Sequence, residues 1–111
     1  MLTLLSLADY EVDAYDVAEL SEGDSYFGTT TFYGDSEYIV IAISEYGVED
    51  LDISISNTNG TIAEDMDAGD EGTAIVEFFN RYDRRLDIEV ENYESSSTYR
   101  NYDFVVIVAY K

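Results

Sequence analysis

The sequence predicts an all-β domain, a single antiparallel β-sandwich of jelly-roll-like form. Three observations carry that expectation. Short runs rich in Ile, Val, Tyr and Thr recur at spacings near ten residues, as in sandwiches and barrels. Two of them, Leu51-Ile53-Ile55 and Leu86-Ile88-Val90, alternate strictly with polar residues, the period of a strand with one dry face. The links between runs are too short for the helical crossovers that parallel strands need. The chain has 111 residues, of which 46% are apolar, so one domain with one core is expected.

The first element is open. Residues 1–8 (MLTLLSLA) form an apolar run without charge, far short of the roughly 20 residues that span a bilayer. Ser6-Leu7-Ala8 resembles a signal-peptide cleavage site, but no Lys or Arg precedes it. The run therefore reads as a signal-peptide stub or as an added edge strand, with the sandwich domain spanning 9–111. Leu5, Ala8, Val12 and Tyr15 fall at helical spacing, whereas Tyr10, Val12 and Ala14 alternate with acids as in a strand. A short N-terminal helix and a strand are equal alternatives.

The later elements follow more simply. Residues 26–33 are aromatic and β-branched and end at the turn cluster Gly34-Asp35-Ser36. Residues 38–43 (YIVIAI) form a continuous apolar run, expected as a central strand buried on both faces. Residues 46–50 read as a loop, and 51–56 as a half-buried strand. Asn57-Thr58-Asn59-Gly60 is a hairpin signal, because Asn and Gly tolerate positive φ. Residues 61–63 open the return strand, 64–72 read as an acidic loop, and 73–79 as a strand. Residues 86–90 form the next strand, 92–101 a polar loop, and 102–110 the last strand. Five to seven strands are expected in all.

Charge bounds function. Twenty-five acids face five cations, a formal −20, and there is no Cys, His, Pro or Trp. Residues 1–80 hold 19 of the acids and no Lys or Arg, while the last 31 hold six acids and all five cations. A nucleic-acid reader needs clustered cations, so nucleic acid is not an expected partner. Without His or Cys, the usual zinc ligands and activated nucleophiles are missing, and no nucleophile elbow or phosphate loop is present. The chain reads as no enzyme. The acid excess fits a solvated surface, and more sharply a high-salt (halophilic) or cation-rich setting.

The stretch Glu49-Asp50-Leu51-Asp52-Ile53-Ser54-Ile55-Ser56-Asn57-Thr58-Asn59-Gly60 resembles the Asp-Leu-Asp segment of bacterial pre-peptidase C-terminal domains and related secreted jelly-roll modules. Leu20 with Gly23 before an aromatic strand, and a late strand ending in Tyr, agree over about residues 18–111. Arg81-Tyr82-Asp83-Arg84-Arg85 replaces the usual Gly-x-Tyr, which puts the length of that hairpin in question. The resemblance implies a non-catalytic accessory module of exported proteins, secreted or at the cell surface. Some such modules bind calcium or matrix polymers.

Several residues are candidates for binding. Calcium takes six to eight oxygen ligands, and Asp65, Asp67, Asp70 and Glu71 sit in a Gly-bearing loop that departs from an EF-hand; a plain solvated loop is the alternative. Glu49, Asp50 and Asp52 form a second acidic group, in which a structural role for Asp50 is favoured. Tyr93, Tyr99 and Tyr102 surround a serine loop and could stack on carbohydrate, although Tyr also favours strands on packing grounds. Arg81, Arg84 and Arg85 are expected to pair locally with Asp83, Asp87 or Glu89, with head-to-tail contact to a second copy as the alternative. Partners expected overall are a homo-oligomer or an extracellular polymer or protein, with no membrane span.

Overall fold

The computed structural model describes residues 10–65, 72–95 and 100–111. Eight strands make two antiparallel four-stranded sheets. They are β1 (Glu11–Leu20), β2 (Ser25–Phe32), β3 (Ser36–Ser44), β4 (Val48–Asn57), β5 (Gly60–Asp65), β6 (Thr73–Asn80), β7 (Arg84–Ser95) and β8 (Tyr102–Tyr110). Sheet A has the order β1-β8-β3-β6 and sheet B the order β2-β7-β4-β5. Only β4 and β5 are joined within one sheet; every other connection crosses between the sheets, which is jelly-roll topology.

Alternation decides what lies between the sheets. Phe32, Leu51, Ile53, Ile55, Leu86, Ile88 and Val90 of sheet B meet Tyr38, Val40, Val76, Phe104, Val106 and Val108 of sheet A. Phe32 meets Tyr38 edge-on, with ring centroids 4.7 Å apart. As expected, β3 is buried on both faces: Tyr38 and Val40 point into this core, while Ile39 and Ile41 pack on the far side of sheet A.

The chain around 10–20 is a strand, and no helix occurs among the described residues. It has an irregular register between Val12 and Ala14, where a bulge breaks the period of two. Ala14 packs against the core, whereas Val12, Tyr15 and Val17 point outward. Large residues outside and small ones inside explain why periodicity alone did not separate strand from helix. Two further boundaries differ from expectation. Residues 48–50 belong to β4, and β7 continues through Ser95, because paired bulges let polar residues keep ladder bonds there. Arg81-Tyr82-Asp83 is not a hairpin but a three-residue crossing from sheet A to sheet B.

Two buried asparagines hold the crossings. Asn80 donates through Nδ2 to the carbonyls of Tyr33 (2.9 Å) and Tyr82 (3.0 Å), and accepts from Arg84 Nε (2.8 Å). The turn around Gly34 then lies against the 81–83 crossing, so closely that a Cβ on Gly34 would sit 2.7 Å from the Tyr82 Cα. At the other end, Asn92 donates to the Leu20 carbonyl (3.3 Å) and accepts from the Ser95 hydroxyl (2.6 Å). Each open seam between the sheets is tied by an aspartate. Asp16 accepts from the Tyr26 hydroxyl across β1 and β2 (3.0 Å), and Asp65 accepts from the Ile75 amide across β5 and β6 (3.0 Å).

Replacing Asn80 by Ala strands two carbonyls and one guanidinium N–H. A loss of about 2–3 kcal/mol is expected in urea unfolding at fixed salt. A cost under about 0.5 kcal/mol, within the range of ordinary surface changes, would mean that the corner holds without it.

Candidate functional site

The two outer faces differ sharply in chemistry. Cross-strand register places Val12, Ala109, Ile39 and Glu77 in one row on the outside of sheet A. The next row is Tyr15, Ile107, Ile41 and Ile75, and the third is Val17, Val105, Ile43 and Thr73. Ile39, Ile41 and Ala109 are buried in a small second cluster, with Tyr10, Ile43, Ile75 and Ile107 packed against them. Tyr15 and Val17 remain 74% and 69% exposed. Over the third row an open apolar trough of about 870 Å³ is floored by Val17, Ile43 and Val105 and rimmed by Glu19, Glu45 and Asp103.

The acids on this rim are partly neutralised. Glu45 pairs with Arg100 (3.1 Å), and Glu37, at the opposite end, pairs with Lys111 (3.4 Å). These are the ion pairs among the described residues. The outside of sheet B is the reverse. Rows there join Ser25, Glu91 and Asp52; Phe27, Glu89, Ser54 and Glu64; and Thr29, Asp87 and Ser56. Arg85 is the cation on that face, and it has no carboxylate within ion-pair distance among the described residues.

Asp50 and Asp52 stand apart from the other acids. They are only 9% and 8% exposed, and one oxygen of each carboxyl, Oδ1, is buried without a hydrogen-bond partner. Burial pushes the Asp52 carboxyl up to about 6; the adjacent Asp50 charge and hydrogen bond, then Glu91 and Asp65, push the same way. Glu49 is an exposed bulge residue beside them. Asp65 is drawn into the Ile75 seam, while Asp67, Asp70 and Glu71 lie outside the described residues. Among the described residues, no three acidic side chains converge into a set able to hold an ion by themselves.

Of the expected tyrosine group, Tyr102 offers no exposed ring. Tyr102 is fully buried in the core beneath the Arg100 guanidinium, which lies 4.8 Å from its ring centroid. Tyr93 is exposed on β7, and Tyr99 lies outside the described residues. The local pairing expected of the arginines is also absent. Arg84 is held by Asn80 and lies over the Tyr82 ring, and Arg81, like Arg85, makes no ion pair among the described residues. No described helix is long and apolar enough to cross a membrane.

No family model matches the chain, and no curated protein matches it. The surfaces themselves therefore carry the functional argument.

The raised Asp52 value has a definite consequence for stability. Its folded value lies above its ordinary 3.8, so the native protein holds that proton more tightly than the unfolded chain. The resulting stabilisation is complete below about pH 4 and is lost as pH rises through about 6. In chelator-containing buffer, Asp52→Asn should remove this part of the pH slope and be more stable than the parent at pH 8. Parallel slopes for parent and variant in urea titrations would contradict it.

Proposed function

We propose that this domain is a non-catalytic interaction module that binds through the outer face of sheet A, and that the partner this face fits best is a second copy of the same chain. The observation that carries the reading is the apolar wall of Tyr15, Val17, Ile43, Val105 and Ile107. Contiguous apolar surface of this kind marks interaction sites on soluble proteins.

Charge selects the partner. Two chains of −20 repel each other at most approaches. Sheet A to sheet A is the approach with an uncharged centre and rim acids that Arg100 and Lys111 partly neutralise, while the acids of both sheets B point away. A twofold contact of like faces closes on itself without forming a filament. The resemblance to secreted jelly-roll modules, the acid excess and the lack of His and Cys support an exported, non-catalytic setting. They also fit a structural surface subunit.

This association has a salt signature opposite to that of ion-pair assembly. Salt screens the repulsion and leaves the apolar contact intact, so dimerisation should strengthen as sodium chloride rises. Sedimentation at high protein concentration reads this directly. Tyr15→Glu with Val17→Glu changes two exposed side chains and should hold the protein monomeric at every salt concentration. A parent monomeric in high salt, or a double variant that dimerises like the parent, would overturn the proposal. Association weakened by salt would point instead to Arg81 and Arg85, which make no ion pair among the described residues.

A further inference from the structure

The turn between β4 and β5 holds a pattern that the fold does not account for. Asn57 and Gly60 shape the turn: the Asn57 side chain accepts from the Asn59 backbone amide (2.8 Å), and Gly60 has a φ of 128°, which other residues rarely adopt. Asn59 does neither. Its φ is negative, since Asp35 is the non-glycine residue with a positive one among the described residues. Its side-chain amide makes no hydrogen bond among the described residues. Asn80 and Asn92 differ, because each donates its Nδ2 to backbone carbonyls at the sheet crossings. Of the five Asn in the chain, Asn59 alone has a hydroxyl residue two places on, Thr61, with Gly60 between them. Residues 58–62 are exposed, and the space beside Gly60 is empty where a side chain would stand. An Asn-x-Thr on an open surface turn is the acceptor pattern for an N-linked sugar.

We propose that Asn59 is an N-glycan acceptor, an inference that rests on the exported setting proposed above and not on the sheet A contact. The donor is an oligosaccharide joined through phosphate to a lipid. Transfer forms a bond from Asn59 Nδ2 to the anomeric carbon of the first sugar and breaks the bond from that carbon to the phosphate oxygen. The lipid phosphate leaves, and one Nδ2 proton passes to the transferase. An amide nitrogen is a weak nucleophile, because its lone pair is delocalised into the carbonyl. The transferase has to reorient the side chain to use it, and an amide held as those of Asn80 and Asn92 are would resist. Asn59 is not so held. The Thr61 hydroxyl lies on the same exposed run and gives the transferase a second point of recognition. The hairpin belongs to sheet B, so the sugar is carried by the sheet opposite the apolar face.

The test uses the full chain recovered from its own cells, with the medium and cell-surface fraction separated from the interior. No Lys or Arg precedes Arg81, so the digestion cleaves after acidic residues and frees residues 53–64 (ISISNTNGTIAE). Mass spectrometry of that peptide from the outer fraction should show an oligosaccharide on Asn59. Asn59→Gln and Thr61→Ala should each abolish it, whereas Thr61→Ser, which keeps the hydroxyl, should retain it. Both positions are exposed and outside the core, so the variants should be recovered folded. A bare peptide in the outer fraction overturns the proposal and leaves export standing. A bare chain found only inside the cell overturns both. Sugar that persists in Asn59→Gln lies on a Ser or Thr hydroxyl and overturns the proposal too. So does Asn59 found as Asp without sugar, the product of spontaneous ammonia loss at an Asn-Gly pair.

Discussion

The fold depends on one turn. Thr58 and Asn59 connect β4 to β5, with the Asn59 amide donating to the Asn57 side chain (2.8 Å) and Gly60 at a φ of 128°. Outside that hairpin, β3 pairs with β6, β2 with β7 and β1 with β8. Asn57 faces Gly60, Val40 faces Val76, Gly28 faces Ile88, and Ala14 faces Val108. The whole domain is thus a nested hairpin centred near residue 59 and rolled into two sheets. A shift of one residue at the turn would turn Ile53 and Ile55 out of the core and displace every pair outside it. Each outer pair closes a longer loop, at an entropic cost that grows slowly with length.

Much of this was legible in the residues. The Asn-Thr-Asn-Gly turn, the doubly buried run at 38–43 and the alternating strands at 51–55 and 86–90 each carry a local signal with a local cause. The nesting does not, because pairing partners lie up to about a hundred residues apart and no local rule names them. The sheet A surface was hidden for that reason: Val17, Val105 and Ile43 become neighbours only when β1, β8 and β3 stand side by side. Tyr102 misled because a tyrosine beside a polar loop looks the same whether it points in or out. Asp50 and Asp52 were visible as acids, but their burial depends on the bulged start of β4.

Charge on this molecule is sorted by face. The formal −20 is not spread evenly over the sandwich: the outside of sheet B holds Asp52, Glu64, Asp87, Glu89 and Glu91, and the centre of sheet A's outer face holds none. The cations, confined to the last 31 residues, divide in space: Arg81, Arg84 and Arg85 lie at the β6–β7 crossing and the start of β7, and Arg100 and Lys111 lie at the two ends of β8 in sheet A. Arg100 and Lys111 flank that strand and reach Glu45 and Glu37 on either side of the apolar wall. An acidic domain thereby keeps one face whose centre is uncharged and whose rim acids are partly neutralised.

The outermost pair has a mechanical meaning. Glu11 lies opposite Tyr110, and the Lys111 ammonium sits 5.0 Å over the Tyr10 ring, so chain entry and exit are side by side. Tension applied through these two positions loads the β1–β8 ladder at one end only. Its hydrogen bonds then give way one after another, like a zip, where parallel loading would have forced them to break together. Under such a load the ladder would open from its rim, one pair after another.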